Sequence, residues 1–143
     1  MDQKISQMSD VGTPVNADII PIVDSSTNKS VSIKELRTKR TISLTDAATV
    51  TINVDLTDVG ILSSLSQTTT IANPTGTPAD NQSLIIRITS SSSQTLSFGN
   101  QFNAGSSIPL PTSTTGSSKT DYFSFIWDAA TSKWNITGNA LGF

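Results

Sequence analysis

The 143 residues include no cysteine and no histidine. Without cysteine there are no disulfides, thiol nucleophiles or thiolate metal sites. Without histidine, the Ser–His and Cys–His arrangements of nucleophilic catalysis lack their base. Charge is also scarce: 14% of residues are Asp, Glu, Lys or Arg, with a net charge of −2, against about 25% charged in an average chain. No apolar run approaches the roughly 20 residues needed to cross a bilayer. The start, MDQKISQMSD, lacks the apolar stretch of a signal peptide. A soluble protein with no membrane partner, reaching its place by assembly, is the expectation. The G-x-x-x-x-G-K-[ST], G-x-G-x-x-G and G-x-S-x-G motifs are missing too.

Ser and Thr fill the polar share, at roughly three residues in ten. Thr favours strands and Ser favours turns, which points to an all-β protein with many connections. The length fits one domain with a core of its own, plus a short appended segment. Charge divides the chain near Arg40. Residues 1–40 hold six basic and five acidic groups, and residues 41–143 hold three basic and six acidic. We therefore expect an anchoring segment, 1–40, and a β-sandwich or jelly-roll-like body, 41–143.

Within the first segment, Asp18 to Val23 reads as extended, and Pro21 confines it to an edge. Asp24 to Ser30 reads as a polar turn. Ser32-Ile33-Lys34-Glu35 matches a capping box and predicts a short helix that buries Ile33 and Leu36 on one face. The basic cluster Lys29, Lys34, Arg37, Lys39 and Arg40 reads as a solvated helix end, with Lys39 and Arg40 near the helix C-terminus, where cations suit the dipole. With no interleaved aromatics, and with Glu35 among the cations, no nucleic-acid partner is expected.

Past Arg40 the period changes to two. TVTINVD places Val50, Ile52 and Val54 on one side, and SLIIRIT places Leu84, Ile86 and Ile88 inward. In DYFSFIWD both phases carry apolar residues: Phe123, Phe125 and Trp127 on one, Tyr122 and Ile126 on the other. Lys133 to Thr137 reads as the hairpin partner of that strand. Ser90–Ser93 reads as a hairpin turn, and 103–116 as a long connection. No solenoid-type repeat is visible. Asp55 with Asp58, and Asp121 with Asp128, are the oxygen donors that a cation or a glycosidase would need. They flank turns, where Asp caps backbone amides, so no metal, no cofactor and no enzyme activity is expected. Tyr122, Trp127 and Trp134 suit a sugar-stacking surface, but a body with few large side chains needs them in its core.

Two blocks of the chain resemble small bacteriophage virion proteins of the fibre, spike and head-decoration type. The first is KISQMSDVGTPVNADIIPIVDSSTNKSVSIKEL, with Met8 and Ile20 where Leu is usual. The second runs from IANPTGTPADNQSLIIRITSSSSQTLSFGNQF to IPLPTSTTGSSKTDYFSFIWDAATSKWNI. It has Asn81 where Gly is common and Trp127 where Tyr is common. The resemblance implies a structural protein on the surface of a phage head or tail: a capsid decoration, head fibre or tail appendage. It implies a β body that associates with itself, as a homotrimer, and an N-terminal segment that docks on a capsid or tail protein of the same virion. The docking residues would be Ile5, Pro14, Asp18, Ile19, Ile20, Pro21, Ile22, Val23, Ile33 and Leu36. The competing expectation is a glycan-binding module of a phage fibre, with Tyr122, Trp127 and Trp134 as contacts to host surface polysaccharide.

Overall fold

The computed structural model describes residues 19–24, 27–32, 36 and 38–143. The chain forms two compact units, Met1–Lys39 and Arg40–Phe143. In the first, β1 (Ile19–Asp24) pairs antiparallel with β2 (Thr27–Ser32), in register from Ile19 opposite Ser32 to Asp24 opposite Thr27. Ile and Val at four of the six β1 positions favour extended backbone. Pro21 is tolerated because a two-stranded ribbon leaves each strand an open edge. The polar turn expected over Asp24 to Ser30 is in fact mostly strand. Thr27, Asn28, Lys29 and Ser30 are polar and read locally as turn, but the ribbon pairs each of them with a β1 residue. Ser32, expected to cap a helix, ends β2. The predicted helix falls on 33–35 and 37, which lie outside the described residues, and Leu36, which is helical and 58% exposed.

The second unit is all β. Its strands are β3 (Thr41–Ser43), β4 (Thr49–Val50), β5 (Val59–Leu65), β6 (Thr69–Ile71), β7 (Ser83–Ser90), β8 (Leu96–Phe98), β9 (Phe102–Asn103), β10 (Lys119–Asp128) and β11 (Lys133–Ala140). They form a six-stranded sheet, β3-β5-β7-β10-β11-β9, and a three-stranded sheet, β4-β6-β8. The two sheets share one hydrophobic core.

From β3 to β8 the chain alternates between the sheets, and β3-β5-β7 and β4-β6-β8 are parallel throughout. These stretches are successive rungs of a short coil. Thr41 lies beside Val59, and Val59 beside Ile85. On the other sheet Thr49 lies beside Thr70, and Thr70 beside Ser97. Asn53 bridges Thr75 between the first two rungs. The absence of a visible repeat did not anticipate this winding. Ser90–Ser93 is likewise a corner leading from one sheet to the other, not the turn of a hairpin. β10 and β11, by contrast, are antiparallel, the hairpin expected at the end of the chain.

Like residues stack from rung to rung. Thr70 Oγ1 and Ser97 Oγ lie 2.8 Å apart, and Asn73 Nδ2 donates to Asn100 Oδ1 at 2.7 Å. Asn73 Oδ1 accepts from Gln101 N at 2.9 Å. Gly99 makes room for this: a Cβ there would lie 2.3 Å from Asn73 Oδ1 and 2.6 Å from Asn73 N. Asn81 adopts φ 63°, a left-handed conformation that Gly or Asn takes readily, and its N–H donates to Trp127 O at 3.0 Å.

The core is what the alternation predicts. Val50, Ile52 and Val54 are buried, and so are Leu84, Ile86, Ile88, Phe123, Phe125 and Trp127. Phe98, Phe102 and Phe125 form an aromatic cluster with centroids 5.0–5.9 Å apart. Trp127 and Trp134, opposite each other across the β10–β11 hairpin, are 5.3 Å apart.

Candidate functional site

The carboxylates singled out in the sequence hold backbone in place. Asp58 receives the Arg40 guanidinium (Nη2 to Oδ1 2.6 Å, Nε to Oδ2 3.0 Å) and the Arg40 amide at 2.8 Å. Arg40 Nη1 also donates to Asp55 O. The Asp58 hydrogen bond raises the Arg40 pKa above its ordinary value. Arg40 thus belongs to the body and ties the start of its first rung to the second. Asp46 accepts from Ser66 N and Oγ and from Gln67, and the Ser66 hydroxyl holds its pKa below the usual carboxylate range. Asp128 caps the β10–β11 turn and is lowered chiefly by the Thr131 hydroxyl. Asp55 accepts from Thr77 N at 2.8 Å. Asp121, fully buried, accepts from Thr115 N, Thr115 Oγ1 and Gly142 N. Asp121 and Asp128 are committed to different neighbours, and Asp55 and Asp58 both face the Arg40 cation, so each carboxylate is occupied by the chain's own groups. Among the described residues no three His, Cys, Asp or Glu side chains cluster as metal ligands, and no helix is long and apolar enough to cross a membrane.

Of the residues expected to dock, Ile5, Pro14, Asp18 and Ile33 lie outside the described residues. Ile19, Ile20, Pro21, Ile22 and Val23 are consecutive in β1. The three expected glycan contacts are not brought together. Trp134 is 0% and Trp127 9% exposed, with both rings in the core. Tyr122 is five positions before Trp127 on the same strand, so the period of two puts it on the opposite face, where it is 39% exposed beside Phe143.

Two other features stand out. The first is the outer face of the six-stranded sheet. One cross-strand row runs Val59, Ile85, Ser124, Gly138, the next Ile61, Arg87, Tyr122, Ala140, and a third Ser83, Ile126, Asn135, Asn103. Ile126 and Tyr122 are 38% and 39% exposed, while Val59, Ile61 and Ile85 are half-buried. The solvent side of such a sheet is ordinarily polar. Arg87 is the charged residue of these rows, and its Nε is buried without a hydrogen-bond partner. The sequence carried a signal for this face, since Ile85, Tyr122 and Ile126 occupy the phase opposite the core.

The second is a cleft of about 290 Å³ where the rung loops meet the β10–β11 turn. It is lined by Val54, Pro74, Gly76, Thr77, Pro78, Gln101, Trp127, Ser132 and Trp134. Its loop residues come from three distant stretches, which only the stacking of rungs places side by side. A scan of the chain against protein-family models gives no match, and a search of curated proteins finds no significant relative.

Proposed function

We propose that the chain is a structural component of a bacteriophage particle, a decoration, head fibre or tail appendage. Its N-terminal segment docks on a capsid or tail protein, and its β body associates with copies of itself. The sequence blocks that resemble phage virion proteins supply the setting. The observation that carries the reading is the apolar outer face of the six-stranded sheet. Ile61, Ile85, Tyr122 and Ile126 lie together on it, in a body whose surface is otherwise rich in Ser, Thr and Asn. Val59, Ile61 and Ile85 on neighbouring strands, with Tyr122 and Ile126 beyond Arg87 and Ser124, give the face apolar surface that a protein contact would cover. A neighbouring copy packed on the face removes its apolar surface from water. The N-terminal ribbon agrees with the docking half. A two-stranded hairpin is marginally stable alone in water, and its open edges are where a partner strand adds.

Self-association is tested on residues 40–143 by light scattering coupled to size-exclusion chromatography. The expected mass is that of three chains. Ile126→Asp, a change at a partly exposed position, is expected to give single-chain mass with the β fold retained by circular dichroism and a melting temperature that no longer depends on protein concentration. Wild-type protein that stays at single-chain mass at every concentration contradicts the self-associating body.

A further inference from the structure

We infer that the open edge of the first rung is a contact between two copies of the chain, which pair end to end through it. The inference does not rest on the particle reading, and a purified chain suffices to test it. β3 is an outer strand of the six-stranded sheet, and β4 is an outer strand of the three-stranded one. Both belong to one rung, so the coil is open at this end on both sheets. Its other end is closed. β10 pairs along the far side of β7, while beside β8 Leu96 N donates to Thr112 O and Thr114 N to Gln94 O.

The register fixes which groups of the first rung point outward. Arg40 O accepts from Val59 N, Leu44 N donates to Ile61 O, and the carbonyls of Ala48, Val50 and Ile52 accept from Thr70, Ala72 and Thr75 N. These even positions face the second rung. Backbone polar groups alternate in direction along a strand, so those of Ser43, Thr49 and Thr51 face away from it. Open edges are ordinarily guarded by lysine, proline, a bulge or a covering loop. Residues 41–54, TISLTDAATVTINV, contain no Lys, Arg, Glu, Pro or Gly. Their one charge, Asp46, is turned to the second rung, where it accepts from Ser66 N at 3.1 Å and Ser66 Oγ at 2.6 Å. The flanking Arg40 is held by Asp58. Ile42, at the centre of β3, is 42% exposed. A single extended peptide covers β3 or β4 but not both, since they lie in different sheets. The occupant has to present two strand edges from two packed sheets, and the first rung of a second copy does so. Related by a two-fold axis, the two rungs meet as identical patches with their strands antiparallel.

This contact uses the rim of the six-stranded sheet and not its outer face. Ile126 lies on β10, with β5 and β7 between it and β3. The test is therefore made on the full chain carrying Ile126→Asp, so that an outer-face contact does not contribute. A few backbone hydrogen bonds set against the cost of association give half-pairing on the order of millimolar. Amide NMR over roughly 0.05 to 2 mM, a range that spans this value, is expected to show shifts at Ser43, Thr49 and Thr51 that follow one common concentration curve. The chain with Ile126 intact is expected to show the same three shifts. Ser43→Lys combined with Thr51→Lys, both at exposed positions, places like charges across the contact and is expected to abolish the shifts with the rest of the spectrum unchanged. The proposal is overturned if the three amides do not shift with concentration, if the lysine variant shifts as its parent does, or if the concentration-dependent shifts fall on β10, β11 or the rung loops instead.

Discussion

Trp134→Ala destabilises the body by about 3–5 kcal/mol, the usual cost of removing a large buried aromatic. Trp134 is fully buried, packs 5.3 Å from Trp127 and lies between the terminal hairpin and the rung loops. The backbone around it is fixed: Trp134 N donates to Gln101 O at 2.8 Å, and β9 runs parallel to β11 at Phe102 and Trp134. The surroundings therefore cannot close over the lost indole, and the cavity cost adds to the lost burial. Since whole domains are stable by about 5–15 kcal/mol, the variant sits near the edge of folding. Chemical denaturation of residues 40–143 measures this as a lower midpoint at unchanged slope. Trp134→Phe is expected to lose markedly less. A loss below about 1 kcal/mol for the Ala variant would mean that the site is not packed core.

Asp121→Ala has the next largest effect, about 3 kcal/mol or more, from the acceptors it removes. The Asp121 carboxylate, itself 0% exposed, takes Thr115 N and Thr115 Oγ1 at 2.7 Å each and Gly142 N at 2.9 Å. It joins the loop before β10 to the last residues of the chain, which Thr120 and Phe143 also join by exchanging backbone hydrogen bonds at 2.9 and 3.1 Å. Alanine leaves two backbone amides without their acceptor. Asn restores the shape, but turns one acceptor oxygen into a donor facing donors, so it recovers little. Hydrogen exchange at Thr115, Gly142 and Phe143 should rise in Asp121→Ala well beyond the rise elsewhere. Protection that stays unchanged at these amides would contradict the latch.

Strands with one strict apolar phase were legible in the sequence. Leu84, Ile86 and Ile88 are all fully buried, and the competing phases of DYFSFIWD resolve with Phe123, Phe125 and Trp127 inward. The coil was not legible, because its rungs differ in length. Neighbouring positions are 18 and 26 residues apart on one sheet (41 to 59 to 85) and 21 and 27 on the other (49 to 70 to 97). Uneven loops hide the period while the backbone ladder keeps it. β2 was misread for a related reason: Asn28, Lys29 and Ser30 have weak strand preference of their own, and pairing with β1 overrides it. The cleft was invisible because Pro74, Gln101 and Ser132 meet only through that stacking. The outer face was half visible, as apolar residues on the wrong phase at Ile85 and Ile126, and only a sheet with solvent on that side gives them meaning.

The proposal that the N-terminal segment places the body is tested most directly on assembled particles. Removing residues 1–39 keeps Arg40 and its bonds to Asp58, so the body is expected to retain its fold and its melting temperature. A milder form of the same test, Ile20→Asp with Val23→Asp, places charges where an apolar strip would be buried on docking and should weaken attachment through their desolvation cost. Copies per purified particle, counted by quantitative mass spectrometry for the full chain and for residues 40–143, should fall from a fixed stoichiometry to background. A body that lacks residues 1–39 and still loads onto particles at full stoichiometry would contradict it.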